Sequence, residues 1–282
     1  MSVSFGARLE VGFAEGRHLC VGIDPHAPLL ADWGLDDTAE GAERMGLEVV
    51  AASAGVAACV KPQIAFFERF GHAGFLALER VLAAARDAGL LVIADVKRGD
   101  IGSSFAAYAE AWLAPGSPLE ADAMTAVAYQ GFGSLAGAFD LVRTHGKGLF
   151  VLAATSNPEA RTVQTAVRAD GRTVARAIVD DALAFGSSHD HYVNSVGVVL
   201  GATLKLDEFG IDVNTLPVTP ALPVLAPGFG AQGARIEDAR SIFGGLGWAL
   251  LANESRSLLS GGAEGLSARV RDRAAAIAEA LH

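Results

Sequence analysis

The sequence predicts an α/β protein with the (β/α)8 TIM barrel fold, and three observations support that prediction. Eight short apolar runs recur along the chain, and segments with helical periodicity separate several of them. Near-continuous apolar runs are typical of parallel strands that helices cover on both faces. Eight strands close a barrel of this class, and 282 residues suit a fold of about 250 residues. An open, doubly wound sheet is the alternative architecture.

Each predicted strand is a short apolar segment that ends near a polar or turn-forming residue. In chain order, the predicted strands are Leu19–Ile23, Ala57–Val60, Leu91–Asp95, Ala123–Ala126, Leu149–Ala153, Ser195–Leu200, Pro223–Ala226 and Trp248–Ala252. The clearest predicted helix is Phe75–Arg86, which stops at Gly89, a residue type common at helix C-termini. Other predicted helices are Val174–Ala184, Ile236–Phe243 and Leu266–Leu281.

The remaining segments predict surface loops, and nothing in the sequence suggests a domain boundary. The predicted loops are Pro115–Glu120, Asn157–Arg172 and Phe185–His191. No linker, repeat or low-complexity tract divides the sequence. We therefore expect a single domain over residues 1–282.

The composition argues against several classes of protein. Hydrophobic residues make up 51% of the chain, which disfavours disorder. A net charge of −10 argues against a nucleic-acid binder or a protein that binds anionic membranes, since both need a basic surface. The N-terminal residues lack the pattern of a signal peptide, and no uncharged apolar stretch is long enough to span a membrane. We therefore expect a cytoplasmic protein.

The cysteines and tryptophans favour structural roles. Cys20 and Cys59 each lie in an apolar run without C-x-x-C spacing, so we expect two buried thiols in a reducing compartment. Trp33, Trp112 and Trp248 are too widely spaced to predict a stacking platform, so we expect them to contribute to packing.

The most informative segment is Asp95-Val96-Lys97-Arg98-Gly99-Asp100, which ends the third predicted strand. Asp95 and Lys97 are two residues apart, so on a strand their side chains point to the same face. Asp100 follows where the chain has turned out of the strand. Barrel enzymes carry their catalytic groups at the C-terminal ends of the strands, which is where this segment is expected. The alternative is an ordinary solvated turn.

Polar residues follow nearly every predicted strand. They are Asp24, Lys61, Asp95 with Lys97, Thr125, Ser156, Thr203, Gln232 and Arg256. The C-terminal ends of barrel strands meet at one face, so this pattern predicts a site. Lys61, Asp95, Lys97 and Asp100 would alternate in charge, and a lysine between carboxylates should have a raised pKa. Such a lysine suits a fixed positive charge and a proton donor. An ion-pair network that only closes the barrel mouth is the alternative.

The segment Pro227–Gly233 contains a G-x-G-x-x-G pattern, and Glu254 follows at about the spacing of a dinucleotide fingerprint. That fingerprint belongs to the first βα unit of a nucleotide-binding fold, whereas this one follows the seventh predicted strand. Barrels bind phosphate with the loops after strands seven and eight. We therefore predict a phosphate site made by this loop and Arg256.

His189-Asp190-His191 resembles a metal pair, but a solvated loop is favoured because the sequence offers no third ligand nearby.

Several longer motifs occur together in the chain. They are Val60-Lys61-Pro62-Gln63-Ile64-Ala65-Phe66-Phe67-Glu68, Asp95 through Ser104, Thr155-Ser156-Asn157-Pro158, Val199-Leu200-Gly201-Ala202-Thr203 and Pro227 through Gly233. In this combination the chain resembles the orotidine 5′-phosphate decarboxylase family, in particular its longer subfamily. The resemblance extends from Val21-Gly22-Ile23-Asp24-Pro25 to Arg256. The D-x-K-x-x-D pattern alone is shared with sugar-phosphate relatives, whereas the combination is much more specific.

The resemblance implies a role for each matching position. It implies that Lys61, Asp95, Lys97 and Asp100 form a catalytic charge network. It implies a homodimer in which Asp100, together with Ile101 and Ser104, enters the neighbouring subunit's site. The implied substrate contacts are Asp24 at the ribose, Ser156 at the pyrimidine, Gln232 between base and phosphate, Pro227 in the phosphate loop and Arg256 at the phosphate. Two positions depart from the family pattern, because Ser104 replaces the usual threonine and Glu159 a common glycine.

The implied reaction is decarboxylation of orotidine 5′-phosphate to UMP, the last step of de novo UMP synthesis, with no metal and no organic cofactor. The runner-up is a sugar-phosphate lyase or synthase of the same barrel group, which usually needs Mg²⁺. Ser156 and Gln232, placed for a pyrimidine, argue against it. A non-catalytic barrel that binds a phosphate ligand is the third alternative, and it would not need the clustered charges.

Overall fold

The structure is a computed structural model that describes residues 2–186 and 192–281. Within these residues, eight parallel strands form a closed barrel in which each strand pairs with its neighbours in sequence order. The last strand pairs with the first, with Ala252 opposite Leu19, and this pairing closes the sheet. The predicted (β/α)8 barrel is therefore confirmed, and the open-sheet alternative is wrong. The His189-Asp190-His191 motif lies outside the described residues.

All eight predicted strands are present, with ends that differ by a few residues. They are β1 (Leu19–Ile23), β2 (Cys59–Pro62), β3 (Leu91–Arg98), β4 (Ala123–Ala126), β5 (Gly148–Ala154), β6 (Val196–Leu200), β7 (Val224–Pro227) and β8 (Leu250–Glu254). The largest differences are in three strands. β3 continues three residues past the predicted end at Asp95, and β2 and β8 each begin and end two residues later than predicted. The segment Gly244–Ala249 forms a 3₁₀ turn before β8, so Trp248 is not a strand residue. Glycine-rich sequence disfavours a strand there.

Helices cover the outside of the barrel. The α-helices are α1 (Phe5–Ala14), α2 (Ala27–Asp32), α3 (Ala39–Ser53), α4 (Ala65–Glu68), α5 (Gly71–Asp87), α6 (Gly102–Leu113), α7 (Ala136–His145), α8 (Ala160–Gln164), α9 (Val174–Gly186), α10 (Ala239–Phe243), α11 (Arg256–Leu259) and α12 (Leu266–Leu281). The predicted helix over Ile236–Phe243 is a 3₁₀ turn, Ile236–Asp238, followed by α10. The predicted loop Asn157–Arg172 contains the short helix α8.

The interior of the barrel is apolar over its lower part. Phe5, Leu9 and Phe13 of α1 are buried together with side chains that point inward from the strands, among them Phe150 and Leu251. Burying a side chain of this size contributes about 1.5–3 kcal/mol. Helix α1 therefore seals the N-terminal end of the barrel, and the polar strand residues are gathered at the C-terminal end.

The predictions for the cysteines and tryptophans agree with the structure in most respects. Cys20 and Cys59 are buried free thiols on paired positions of β1 and β2. Trp112 is buried, and the indole N–H of Trp33 donates to the Leu259 carbonyl at 2.8 Å. Trp248 packs against the edge of Phe13 but remains 49% exposed. Among the described residues, none of the helices combines the length and the apolar character that a membrane crossing requires.

Candidate active site

The centre of the candidate site is the carboxylate of Asp95, which receives four donors. Lys61 Nζ lies 2.6 Å from Oδ2, and Gln63 Nε2 donates to the same oxygen at 2.9 Å. Lys97 Nζ lies 2.7 Å from Oδ1, and the Thr125 hydroxyl donates to that oxygen at 2.9 Å. Each oxygen of Asp95 thus has two partners, which is a full set for a buried carboxylate. The structure brings Lys61, Asp95 and Lys97 together as the sequence predicts.

Three adjacent strands position this cluster. Lys61 lies in β2, Asp95 and Lys97 in β3 and Thr125 in β4. Lys61 and Asp95 are 5% and 6% exposed, whereas the Lys97 side chain is 43% exposed. Lys97 therefore reaches from the buried pair toward the open end of the barrel. The Lys97 ammonium is therefore accessible to a ligand bound at this end of the barrel.

The backbone of Lys97 is in the left-handed region, with φ of 46°, and it is the sole non-glycine residue with positive φ in the described ranges. This conformation costs on the order of 1–3 kcal/mol for a residue with a side chain. It coincides with an irregularity in β3, where the register against β4 shifts between Ala94 and Arg98. Such strain is common at functional sites and persists only where the surroundings hold it.

The charges shift the pKa values of the three groups in different directions. Burial alone would lower the pKa of Lys61, but the charges of Asp95 and Asp24 outweigh burial and raise it. Burial alone would raise the pKa of Asp95, but Lys61 and Lys97 outweigh burial and hold it well below its usual value. The predicted rise is therefore found at Lys61 and is wrong for Lys97 in the single chain. There burial and Lys61 together outweigh Asp95 and Asp24 and lower the pKa of Lys97.

The sequence alone assigns no role to two members of the cluster, Gln63 and Thr125. In the sequence Gln63 is part of a longer motif, and Thr125 is one of several polar residues at strand ends. The spacing of Gln63 indicates its place in the cluster, because Gln63 is two residues after Lys61 and so lies on the same face of the strand. A bridge between Gln63 and Asp95 extends the pairing of β2 with β3 to that point. Spacing alone cannot reveal that both side chains meet Asp95.

Asp24 follows β1 and carries an unsatisfied acceptor. Its Oδ1 atom is buried and has no hydrogen-bond partner among the described residues. Unpaired buried acceptors are costly and unusual. The Asp24 charge also reaches Lys61, as the raised pKa of that lysine indicates. Asp24 therefore lies at the edge of the charged cluster with a free lone pair, which suits a hydroxyl-bearing ligand.

The glycine-rich loop leaves β7 at Pro227 and passes beside the end of β8. Gly228, Gly230 and Gly233 all have positive φ, at 122°, 67° and 101°. A Cβ on Gly230 would lie 2.9 Å from a carboxylate oxygen of Glu254, so a larger residue would not fit. Arg256 begins α11 directly after β8 and is exposed. The loop and Arg256 thus occupy the ends of strands seven and eight, outside the first βα unit in which a dinucleotide fingerprint lies.

Ser156 and Gln232 meet across the mouth of the barrel. The Ser156 hydroxyl lies 3.4 Å from Gln232 Oε1, although the two residues come from loops after β5 and β7. Both are exposed at the open end. Glu159 adopts helical angles, with φ of −65°, and its carboxylate accepts from the Asn157 side chain at 3.1 Å. The turn after Ser156 therefore does not require a glycine at that position.

Asp100, Ile101 and Ser104 lie apart from the charged cluster within the described chain. Asp100 accepts a hydrogen bond from the backbone N–H of Ile101 at 2.8 Å, and the described residues contain no ion pair between Asp100 and Lys97. Ile101 is 61% exposed, and Ser104 lies exposed in the first turn of α6. Asp100 is partly exposed, and none of the three residues contacts the charged cluster within the described chain. Within the described residues, no three His, Cys, Asp or Glu side chains are grouped as metal ligands.

Comparison with known proteins identifies the family. A sequence model described as "Orotidine 5'-phosphate decarboxylase / HUMPS family" matches residues 17–243, a span that includes most of the site. The chain belongs to the orotidine 5′-phosphate decarboxylase / HUMPS family. Its C-terminal part, which carries Arg256, lies beyond the matched segment.

Individual members of this family are similar over almost the whole chain. An orotidine 5′-phosphate decarboxylase of Salinispora arenicola is 50% identical over 92% of this chain and 91% of its own length. One of Streptomyces coelicolor is 49% identical over 92% of this chain and 90% of its own length. A crystal structure from Streptomyces avermitilis, named as a candidate orotidine 5′-phosphate decarboxylase, superposes with a TM-score of 0.92. The Streptomyces avermitilis protein is 46% identical to this chain, and the match covers 99% of this chain and 96% of the other.

Proposed function

We propose that this enzyme decarboxylates orotidine 5′-phosphate to UMP in pyrimidine biosynthesis, with Lys97 as the proton donor. The observation that carries the proposal is the Lys61–Asp95–Lys97 cluster at the C-terminal end of the barrel. Loss of CO₂ from C6 of the pyrimidine leaves an electron pair in the plane of the ring, where the ring carbonyls cannot delocalise it. A fixed ammonium beside C6 stabilises that charge and can then protonate the carbon.

Asp95 would act on the substrate's own carboxylate. Its pKa is held low, so it stays ionised and repels the negative group that leaves as CO₂. This repulsion raises the energy of the bound substrate relative to the transition state, in which the charge has moved onto the ring. Lys61 binds Asp95 Oδ2, the oxygen that Lys97 does not contact, where it balances the buried charge and fixes the orientation of the Asp95 carboxylate. Decarboxylation thus follows from electrostatic preorganisation.

The remaining residues would bind the parts of the nucleotide that do not react. The free Oδ1 of Asp24 suits the ribose hydroxyls, which need an acceptor. Ser156 and Gln232, already in contact, suit the polar edge of the pyrimidine. The loop that begins at Pro227 and the guanidinium of Arg256 suit the phosphate, since glycine backbone and arginine both bind that anion well.

We infer that the active form is a two-fold homodimer with Asp100 shared across the interface. Asp100 makes no ion pair with Lys97 within the described residues, and the pKa of Lys97 is lowered in the single chain although Asp95 and Asp24 both oppose that shift. A carboxylate from a partner would oppose that shift and keep the ammonium charged. Ile101 follows Asp100 directly and is 61% exposed, and Tyr108 of α6 and Tyr129 after β4 are 39% and 82% exposed. An interface that buries them would also bring Ser104 to the partner's site.

We also infer that the enzyme works in the cytoplasm and that residues 1–282 act as one catalytic domain. Both cysteines are free, as expected in a reducing compartment. The substrate is a small nucleotide, and the net charge of −10 gives no general surface for nucleic acid or anionic membranes.

The proposed function predicts ultraviolet loss of orotidine 5′-phosphate with formation of UMP. We expect the same rate after dialysis against EDTA, because the chain's own charges supply the electrostatic stabilisation. The measurement is absorbance decay on chelated and untreated enzyme, with UMP identified as the product. Activity that EDTA abolishes and Mg²⁺ restores would instead favour the sugar-phosphate branch of the family. A chelated enzyme that binds the nucleotide without turnover would favour a non-catalytic barrel.

A second prediction concerns the phosphate site. We expect Arg256→Ala to lower kcat/KM by about 10²-fold, because the phosphate contributes binding energy that is used at C6. Phosphite added to a substrate without the phosphate should partly restore turnover by the wild-type enzyme. Arg80→Ala is the matched control, since Arg80 pairs with Glu43 on the surface between α3 and α5. An Arg256→Ala enzyme with unchanged kcat/KM would place the phosphate elsewhere.

A further inference from the structure

The irregularity in β3 sets the position of Lys97. Between the pairs Ala94–Met124 and Arg98–Ala126, β3 advances four residues while β4 advances two. The extra residues form a bulge that contains both Asp95 and Lys97. The ladder closes again directly afterwards, because the Val127 N–H donates to the Arg98 carbonyl at 2.9 Å. The direction of the Lys97 side chain therefore depends on what holds the bulge.

One side chain of β4 fills the gap opposite this bulge. The Thr125 hydroxyl accepts a hydrogen bond from the backbone N–H of Lys97 at 2.9 Å. It donates its own proton to Asp95 Oδ1, also at 2.9 Å. A hydroxyl has one proton to donate and can accept another bond, so both contacts are formed at once. Thr125 is 1% exposed, so water does not reach it to replace either contact.

We propose that Thr125 is a positioning residue that holds the bulged, left-handed backbone of Lys97 and thereby aims its ammonium at the reacting carbon. The inference rests on the proposed decarboxylase function and adds a residue to it. Thr125 satisfies an N–H that the bulge removes from the strand ladder, and an unsatisfied buried N–H is costly. It also fixes the Asp95 oxygen to which Lys97 Nζ is paired. Backbone and side chain of Lys97 are thus both tied to one hydroxyl.

Thr125→Val keeps the shape of the side chain and removes both hydrogen bonds, whereas Thr125→Ser keeps the hydroxyl. We expect Thr125→Val to lower kcat by about 10²-fold, as for a misplacement near 1 Å, with KM changed less than about threefold. Thr125→Ser should keep kcat within about threefold of wild type, since the geometry of the hydroxyl is retained. The separation of kcat from KM and the rescue by serine are results that a general packing defect does not produce.

Thr173 provides a matched control outside the site. Its hydroxyl also makes two bonds, donating to the Phe209 carbonyl at 2.6 Å and accepting from the Arg176 N–H at 3.0 Å. Thr173→Val should lose stability with no change in kcat. If Thr125→Val does not fold, Thr125→Cys is used in its place, because the thiol stands where the serine hydroxyl would but forms only weak hydrogen bonds. Its kcat should then lie well below that of Thr125→Ser.

The measurement is kcat and KM on orotidine 5′-phosphate for all variants, with the folded state checked by circular dichroism. A folded Thr125→Val enzyme with wild-type kcat, or Thr125→Cys equal to Thr125→Ser, would overturn the positioning role. A wild-type enzyme with no decarboxylation at all would contradict the proposed function, and the two failures are therefore distinguishable.

Discussion

Lys97→Ala is expected to lower kcat by about 10³-fold or more, because the change removes two contributions at once. Loss of a preorganised electrostatic group costs about 10²–10³-fold, and loss of a general acid about 10²–10⁴-fold. Lys97 Nζ is paired with Asp95 at 2.7 Å and is the exposed end of the cluster, where the substrate would meet it. KM should change much less, since the proposed contacts to phosphate, ribose and pyrimidine lie on other residues.

Steady-state kinetics on orotidine 5′-phosphate measures this effect, and Lys147→Ala is the matched control. Lys147 is equally well paired, with its Nζ 2.6 Å from Glu120 and 2.9 Å from the Ala121 carbonyl, but it lies just before β5 at the other end of the barrel. Its loss should lower stability and leave kcat unchanged. A Lys97→Ala enzyme that keeps more than about a tenth of wild-type kcat, a barrier change under about 1.4 kcal/mol, would contradict the assigned role.

Asp95→Asn is expected to lower both stability and activity. The substitution leaves Lys61, which is 5% exposed, without its buried counter-charge. Removing one partner of a buried pair costs about 3–5 kcal/mol. The amide also holds Lys97 less firmly, so kcat should fall by about 10²-fold. Chemical denaturation and kinetics measure the two effects.

The stability effect of Asp95→Asn should depend on pH with a defined sign. The pKa of Asp95 is lowered in the folded state, so its contribution is present above about pH 4 and is lost as the pH falls through the lowered value. The difference in unfolding free energy between wild type and variant should therefore shrink on acidification below pH 4. Asp140→Asn is the control, because Asp140 is 84% exposed and its ion pair spans 3.7 Å. A difference that grows toward low pH would contradict the assigned ionisation.

Much of the candidate site can be predicted from the sequence, because the sequence shows both the charged residues and the ends of the strands that carry them. Lys61, Asp95 and Lys97 follow apolar strands, and the glycine loop follows the seventh strand, so their meeting at one face is a consequence of the barrel. What the sequence does not reveal is the bulge in β3. The bulge is a register shift between β3 and β4, and the Thr125 hydroxyl accepts from the backbone N–H of Lys97 within it; neither feature leaves a spacing signature.

Other differences have similarly local causes. The 3₁₀ turn before β8 replaces two predicted strand residues, Trp248 and Ala249, because the preceding glycines favour a turn. The sequence predicts a raised pKa for Lys97, but the pKa is lowered, because burial and the charge of Lys61 outweigh Asp95 and Asp24, the carboxylates that the single chain supplies. This difference points to the central claim, which is that the charge network is completed by Asp100 from a second subunit.

Complementation between two inactive variants tests that claim most directly. Lys97→Ala and Asp100→Ala proteins are mixed in equal amounts and allowed to exchange subunits. Each mixed dimer then holds one site with both defects and one site with neither, so about a quarter of all sites should recover activity. Lys97→Ala mixed with Asp95→Asn is the control and should recover nothing, because both residues belong to the same subunit's cluster. Confirmed exchange without recovered activity would mean that Asp100 acts within its own chain, and the shared site would be wrong.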